Sequence, residues 1–538
     1  MERLIKLTYL LIFIFSINNN IISQVWTNSF TAGNYDVNGK FLGGSEVLQL
    51  IGHKNKLFAS VGYWQDGNNI WYGGTNTNIG WGQIIRLDGP NNSWKEDLFL
   101  GSSFLRPEIL KQIIFTKDAS GNNLNQPDTV LITAAYSVNY FTNTVTVKSF
   151  VRNDLNGNWE ESQILQGGFP AGENYSIRDI EIYTDQITGL EYVFASVGTQ
   201  GIYAGKYNPS TPGKINWIST PEISPLSIRP LGIEIANGNL FFSSGNKLYK
   251  RIDGTIASYI VAHDFIDIST NINSAVGGIR GLTQINNPNS NDQAFLLMWC
   301  PNGQSQGIIY RLEPDGNGGF NRLYETKLSL LVESYLPGSN VNYLLGAYNE
   351  FYQFIDPINH DTLHLVGFES DITGGGFPTW NGYYSGGLFV KRNNNMQYMI
   401  EEINGPIGLS NNALVANRCY VKSPFNNDNA IYFGGFDPNS NSATNMAWIY
   451  RKDYQINTVN EISTDKVKIN IYPNPTNKIL NIDIDEEIEV INIYNKIGEI
   501  CFISKNTNID LSELSKGIYI ITIKLKSEEM ITGKVVIE

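Results

Sequence analysis

The sequence predicts an all-β protein, a seven-bladed β-propeller followed by a small C-terminal β-sandwich. One pair of strand signatures recurs seven times. The apolar runs are short, rich in Val, Ile, Phe and Tyr, and bounded by Gly, Asn, Asp and Pro. No stretch sustains a helical apolar period.

Each repeat opens on a buried-strand run ending in small residues. It closes on a second strand in which a basic residue follows apolar or aromatic ones. The opening runs are Leu57–Gly62, Val130–Ala135, Val193–Gly198, Leu240–Gly245, Phe295–Trp299, Leu363–Gly367 and Ile431–Gly435. The basic residues that follow are Arg86, Arg152, Lys206, Arg251, Arg311, Arg392 and Arg451, spaced on average about 61 residues apart. This is long for a four-stranded blade and leaves room for loop insertions. A single core does not grow to the size of the Val25–Tyr454 region, so the region must be modular. Small residues in the opening run suit the innermost strand, where blades crowd the axis. Val25–Phe30 is placed to close the ring against the last blade. A β-sandwich array or a β-helix would be the alternative repeat architectures.

The ends read differently. Arg3 and Lys6 precede an apolar stretch, Leu7–Phe15, which Asn18, Asn19 and Asn20 terminate. It is too short to span a bilayer as a helix and fits a secretory signal peptide over residues 1–23, cleaved between Ser23 and Gln24. No Cys follows to carry a lipid. The propeller is expected over 24–453, and a polar linker over 454–465. Residues 466–538 alternate apolar positions, as in Ile482 and Ile484, Ile491 and Ile493, or Ile521 and Ile523, and predict an antiparallel sandwich. Pro473 and Pro475 cannot donate to a ladder and belong at a strand edge or entry.

Within this tail stand Tyr472-Pro473-Asn474-Pro475, then Gly517 and Tyr519, then Gly533-Lys534. In order and spacing they resemble the type A C-terminal sorting domain of the bacterial type IX secretion system. The resemblance implies that type IX secretion machinery carries the protein across the outer membrane of a Gram-negative bacterium. It also implies removal of the tail near the linker, and release or tethering of the rest at the cell surface.

The chain has 538 residues and a formal net charge of −13. Phosphate neutralisation needs clustered Lys and Arg, and no run of them is present, which argues against nucleic acid as a partner. The three cysteines are too few for a disulfide framework; Cys300 and Cys419 could pair with each other, but read first as small core residues.

Chemistry is sparse. The stretch between the two strand signatures spans 24 positions from Gly62 to Arg86 and 25 from Gly367 to Arg392, but 6 from Gly245 to Arg251. Insertions at one structural position extend one face, often the binding face. The two long ones carry Trp64, Trp71, Tyr72 and Trp81, and Trp380, Tyr383 and Tyr384. Such rings can stack on sugars or anchor a protein ligand, or can pack on one another to hold the loops. Asp66, Glu369 and Asp371 lie on the same insertions but form no interpretable acid–base pair. His360 and His364 would share a strand face, beside Asp361, yet position 364 replaces an apolar residue of the other repeats. The Asp36–Gly39 and Asp154–Gly157 segments lack the remaining ligands of a calcium loop and read as turns. No catalytic residue, metal site or cofactor is therefore assigned. The expectation is a noncatalytic, surface-displayed binding module for glycans or proteins, with a secreted carbohydrate hydrolase or lyase as the alternative.

Overall fold

The computed structural model describes residues 26–538 except 64–79, 102–103, 170–172, 274–276, 357–359, 404–413, 437–444, 454–468, 485, 496–499 and 527–529. The signal-peptide and linker expectations lie outside the described residues, as do Trp64, Asp66, Trp71 and Tyr72. The chain divides into two compact units, Met1–Ile456 and Asn457–Glu538.

The first unit is built almost wholly of antiparallel sheet. Four sheets are four-stranded meanders, beginning with Ile109–Lys117, Ile177–Thr184, Pro230–Ala236 and Gly278–Asn286. An eight-stranded sheet holds two further four-stranded sets. One starts at Glu46–His53. The other runs from Ala416–Lys422 through Ala430–Phe436 and Trp448–Asp453 to the N-terminal strand Trp26–Thr31. A single residue pair, Phe436 with Glu46, joins these sets. The N-terminal strand thus pairs with the last strand of the unit, Thr27 opposite Arg451. A seven-stranded sheet is organised around the long strand Thr362–Gly374. An eight-residue helix, Leu328–Tyr335, precedes it.

The opening runs read from the sequence are the second strands of these sets, not the innermost ones. The first strands pack side by side from set to set: Glu46–His53 against Ile109–Lys117, and so on to Gly278–Asn286, with Ala416–Lys422 returning against Glu46–His53. The second strands are buried on both faces between neighbouring sheets, which is why they read as continuous apolar runs. The first strands carry charged residues inward, so their signal is weaker.

The seven basic residues all fall in third strands. Six of them are ion-paired, and several pairs cross from sheet to sheet. Asp97 takes hydrogen bonds from Arg86 in its own set and from Arg152 in the next, while Glu325 takes them from Arg311 and Arg392. Lys206 instead lies over the Tyr192 ring, 5.4 Å from its centroid.

The sixth repeat departs from the reading above. Residues 368–374 do not begin a loop but extend the strand, because Ser339–Gly346 supplies a partner from Gly346 opposite Phe368 to Ser339 opposite Gly374. Glu369 and Asp371 are therefore strand residues. A small hairpin, Thr379–Trp380 with Tyr383–Tyr384, adds to the same sheet. His360 lies ahead of the strand Thr362–Gly374, at φ 60°, and does not share a strand face with His364. Cys300 and Cys419 are buried free thiols.

The second unit packs a three-stranded sheet, Ile469–Tyr472, Ile479–Ile484 and Asn508–Asp510, with a four-stranded one formed by Ile488–Tyr494, Ile500–Ser504, Gly517–Leu525 and Met530–Ile537. Leu480, Ile491, Ile493, Ile521 and Ile523 share one core. Pro473 and Pro475 lie just past the end of the first strand.

Candidate functional site

Five arginines of the first unit converge on one cavity of about 390 Å³. Each sits at or within three residues of the start of a first strand: Arg106, Arg178, Arg229, Arg280 and Arg418. The cavity thus gathers one guanidinium from each of five strand sets. All five side chains are largely buried, and Arg280 is 1% exposed.

The floor comes from an interruption. Between Ser339–Gly346 and Tyr352–Ile355 the chain makes a short crossing at 347–351. Gly281 N–H donates to the Tyr348 carbonyl at 3.3 Å, Asn349 Nδ2 to the Leu48 carbonyl at 2.8 Å, and Phe351 N–H to Thr283 Oγ1 at 2.7 Å. Ala347 and Tyr348 line the arginine cavity, while Asn349, Glu350 and Phe351 line a second one. Gly367 makes room beside this crossing, since a Cβ there would stand 1.7 Å from the Asn417 carbonyl oxygen.

Tyr348 is the centre of the arginine cluster. The guanidinium carbons of Arg280, Arg178, Arg229 and Arg418 lie 4.4, 4.6, 5.1 and 5.3 Å from its ring centroid. Arg229 Nη2 donates to its hydroxyl at 2.8 Å. Burial alone would raise the phenol, but Arg229, Arg280, Arg178 and Arg418 outweigh it and bring the group down to about 7. Burial also lowers Arg229 to about 10, with the Tyr348 hydroxyl opposing and Arg178 adding to the effect.

Carboxylates offset only part of this charge. Glu46 accepts from Arg418 and lies 3.5 Å from Arg106, and Glu108 pairs with Arg106 at 3.1 Å. Glu369 is raised to about 7 by burial, against the pull of Arg280 and Arg418. Its Oε2, both amide atoms of Asn417, and the Nε atoms of Arg178 and Arg229 have no hydrogen-bond partner. Five cations against three carboxylates, in a chain of net charge −13, make this a focused positive site. Unpaired buried charge is costly, so the cluster is held at the expense of stability. Arginine presents a fork that matches carboxylate or sulfate oxygens in pairs.

The second cavity is its electrostatic opposite. Lys111 there meets Asp179 and Glu181 at 2.9 Å and Glu350 at 3.1 Å. Glu234 also lines it, its carboxyl raised well above normal by burial and by Glu350. Among the described residues no group of His, Cys, Asp and Glu is arranged to hold a metal ion.

Of the rings singled out from the sequence, Tyr383 borders the arginine cavity but is buried, its hydroxyl 2.8 Å from that of Tyr343. Tyr384 is turned into the core, donating to Glu402 at 2.5 Å. The extension of the Thr362–Gly374 strand folds both rings inward. Trp81 is half-buried against the core, and Trp380 is 41% exposed. His364 is buried without a partner on either ring nitrogen. The arginines carry only a faint signal in the sequence. Their signal is a second basic series at 106, 178, 229, 280 and 418, each ahead of an opening run, which variable loop lengths obscure.

In the second unit, the sorting-motif residues meet through one side chain. Asn474 Nδ2 donates to the Lys534 carbonyl at 2.6 Å, and Val536 N–H donates back to Asn474 Oδ1 at 2.9 Å. Gly517 opens the adjacent strand opposite Ile537, and Tyr519 donates to the Ser515 carbonyl at 2.8 Å. Residues 470–538 match the family model of the secretion system C-terminal sorting domain. This tail is a type IX sorting domain. Such a sorting domain directs its protein to the cell surface or the extracellular space.

No curated protein matches the chain. Among solved structures it is similar to an α-L-arabinofuranosidase of Fusarium graminearum in complex with an iminosugar inhibitor, at 8% identity and a TM-score of 0.36 over 79% of this chain and 96% of that one. It is also similar to a lectin of Aleuria aurantia in complex with Fucα1-6GlcNAc, at 12% identity and a TM-score of 0.30 over 68% and 98%. An α-L-arabinofuranosidase of Clostridium thermocellum is 13% identical over 51% and 92%, with a TM-score of 0.23. Each likeness is distant.

Proposed function

We propose that this is an exported protein whose first unit, a seven-bladed propeller, holds an anionic ligand in its axial cavity outside the cell. The signal peptide over residues 1–23 and the sorting domain supply the route. The ligand is a glycan or protein group that carries carboxylate or sulfate. One observation carries the reading: five guanidiniums from five strand sets face a single cavity with a net positive charge. Such a charge excess is unfavourable in an empty pocket and is relieved by an anion. Trp380, together with the rings Trp64, Trp71, Tyr72 and Trp81 of the first insertion, would add stacking contacts to a longer glycan. Tyr383 contributes a wall of the cavity and Tyr384 supports it from the core.

The test is calorimetric titration of the mature chain with oligogalacturonate, a sulfated galactan oligosaccharide and a neutral xylo-oligosaccharide. Binding of an acidic probe but not of the neutral one is expected, and Arg178→Ala should weaken it at least tenfold. Equal affinity for the neutral probe, or no binding of either acidic probe, would overturn the reading.

A further inference from the structure

We propose that the arginine cavity cleaves a 4-linked uronate chain by β-elimination, with Tyr348 as the base and Glu369 as the proton donor. This rests on the anion-binding reading above and names its substrate class and chemistry.

Hydrolysis of a glycosidic bond ordinarily needs two available carboxyl groups flanking it. Glu46 is ion-paired with Arg418 and Arg106, and Glu108 with Arg106, although each keeps one oxygen without a hydrogen bond; Glu369 also has such an oxygen, and burial keeps it protonated towards neutral pH. Elimination asks for a different set. It needs a cationic cradle for the substrate carboxylate, one base for the proton on the adjacent carbon, and one acid for the departing oxygen.

The cavity contains each. The Nε atoms of Arg178 and Arg229 have no partner, so these guanidiniums retain donors for a carboxylate. Pairing the substrate carboxylate with them stabilises the negative charge that develops when the neighbouring C–H is deprotonated. Tyr348 is placed on the floor of the cavity by the crossing at 347–351, with four guanidiniums stacked about its ring and Arg229 donating to its oxygen at 2.8 Å. That surrounding favours the phenolate, a base matched to neutral pH. Glu369, buried, keeps its proton to the same range. Asn417, 1% exposed with both amide atoms unpartnered, offers a donor and an acceptor for a sugar hydroxyl.

The step balances without water or oxidant. The Tyr348 phenolate takes the C5 proton of the uronate. The electron pair forms the C4–C5 double bond and the C4–O bond breaks. The leaving oxygen takes the proton of Glu369. Exchange with solvent then returns Tyr348 to the phenolate and Glu369 to the acid.

The test incubates the mature chain with oligogalacturonate, alginate oligomers and glucuronan, following the ultraviolet absorbance of the unsaturated uronide alongside calorimetric binding. The expected result is unsaturated product from at least one probe. Tyr348→Phe keeps the ring that the arginines stack on and should lower the rate at least a hundredfold, with affinity held within threefold. Glu369→Gln should lower the rate with the same retention of binding. Binding without unsaturated product overturns the elimination and leaves the anion-binding reading standing. Unchanged turnover in Tyr348→Phe overturns the assignment of the base. No binding of any acidic probe removes both.

Discussion

Arg152 Nε donates to Asp97 Oδ2 at 2.7 Å, a bond from the third strand of one strand set to the last strand of the set before it. Asp97 also accepts from Arg86 and from the indole of Trp159 at 2.9 Å, and its side chain is 3% exposed. A carboxylate so placed fastens two sheets edge to edge. Removing it leaves Arg86 with Asp88 alone and Arg152 with Asp154 alone, breaks the ion pairs between the two sheets, and strands the indole N–H of Trp159. Asp97→Ala should therefore cost about 3–5 kcal/mol, read by equilibrium denaturation. Asp267, which pairs with Arg322 on the surface, is the control, and Asp267→Asn should leave the midpoint unchanged.

The acid limb of stability should carry the mark of His364. Burial holds this ring down to about 4, with Arg392 adding to the effect and Glu325 opposing it. The folded protein resists protonation that the unfolded chain accepts near 6.5. The contribution is intact above the unfolded value and is lost as pH falls from there through about 4, to a total of about 3 kcal/mol. His364→Leu should flatten that part of the pH–stability curve, and an unchanged slope between pH 6.5 and 4 would refute the assignment.

Glu369 works in the other direction. Its folded value of about 7 stands above the ordinary carboxyl range, so its favourable contribution is complete below the unfolded value and disappears as pH rises through about 7. Burial sets it, with Arg280 and Arg418 opposing and Glu46 adding to the effect. Relative to the native chain, Glu369→Gln should gain thermal stability progressively from pH 4.5 to 8, measured by differential scanning calorimetry.

Anion binding should also appear as stabilisation. A ligand present at a hundred times its dissociation constant adds about 2.7 kcal/mol. Oligogalacturonate should raise the melting temperature of the mature chain accordingly. Arg229→Met, which removes a guanidinium at the Tyr348 hydroxyl, should abolish the shift.

The sorting tail offers a separable test. Asn474 is the residue that ties Pro473 and Pro475 to the final strand through its bonds to Lys534 and Val536. Deletion of residues 466–538 should leave the protein in the periplasm, and Asn474→Ala should reduce the secreted fraction, both scored by cell fractionation and immunoblotting.

What could be read from the chain follows from which strands are apolar on both faces. The opening runs and the basic third-strand residues stood out because burial between sheets leaves them continuous and because each guanidinium recurs in register. The pairing of Trp26–Thr31 with Trp448–Asp453 was legible for another reason, as an unpartnered run at one end and an unfinished set at the other. The first strands were not legible. Gly278–Asn286 contains Arg280 and Gln284, and Ile177–Thr184 contains Arg178, Asp179 and Glu181, so neither looks buried. Their charges face one another across the two cavities rather than water. From sequence the insertion after Gly367 has the character of a loop because its strand partner, Ser339–Gly346, lies upstream and is itself irregular. Tyr383 and Tyr384 then read as surface rings, although that sheet draws them in.

The strand Trp26–Thr31 gives the first unit a property of timing. Its partner in the ladder lies more than four hundred positions later, with Trp26 opposite Lys452. Contacts between such remote segments slow folding, since the whole intervening chain must be brought to one place first. Until Trp448–Asp453 has been made, the opening strand has nothing to join and one sheet edge stays bare. The finished unit can exist only after nearly all of its chain has been synthesised, which leaves any partially made copy with an open seam.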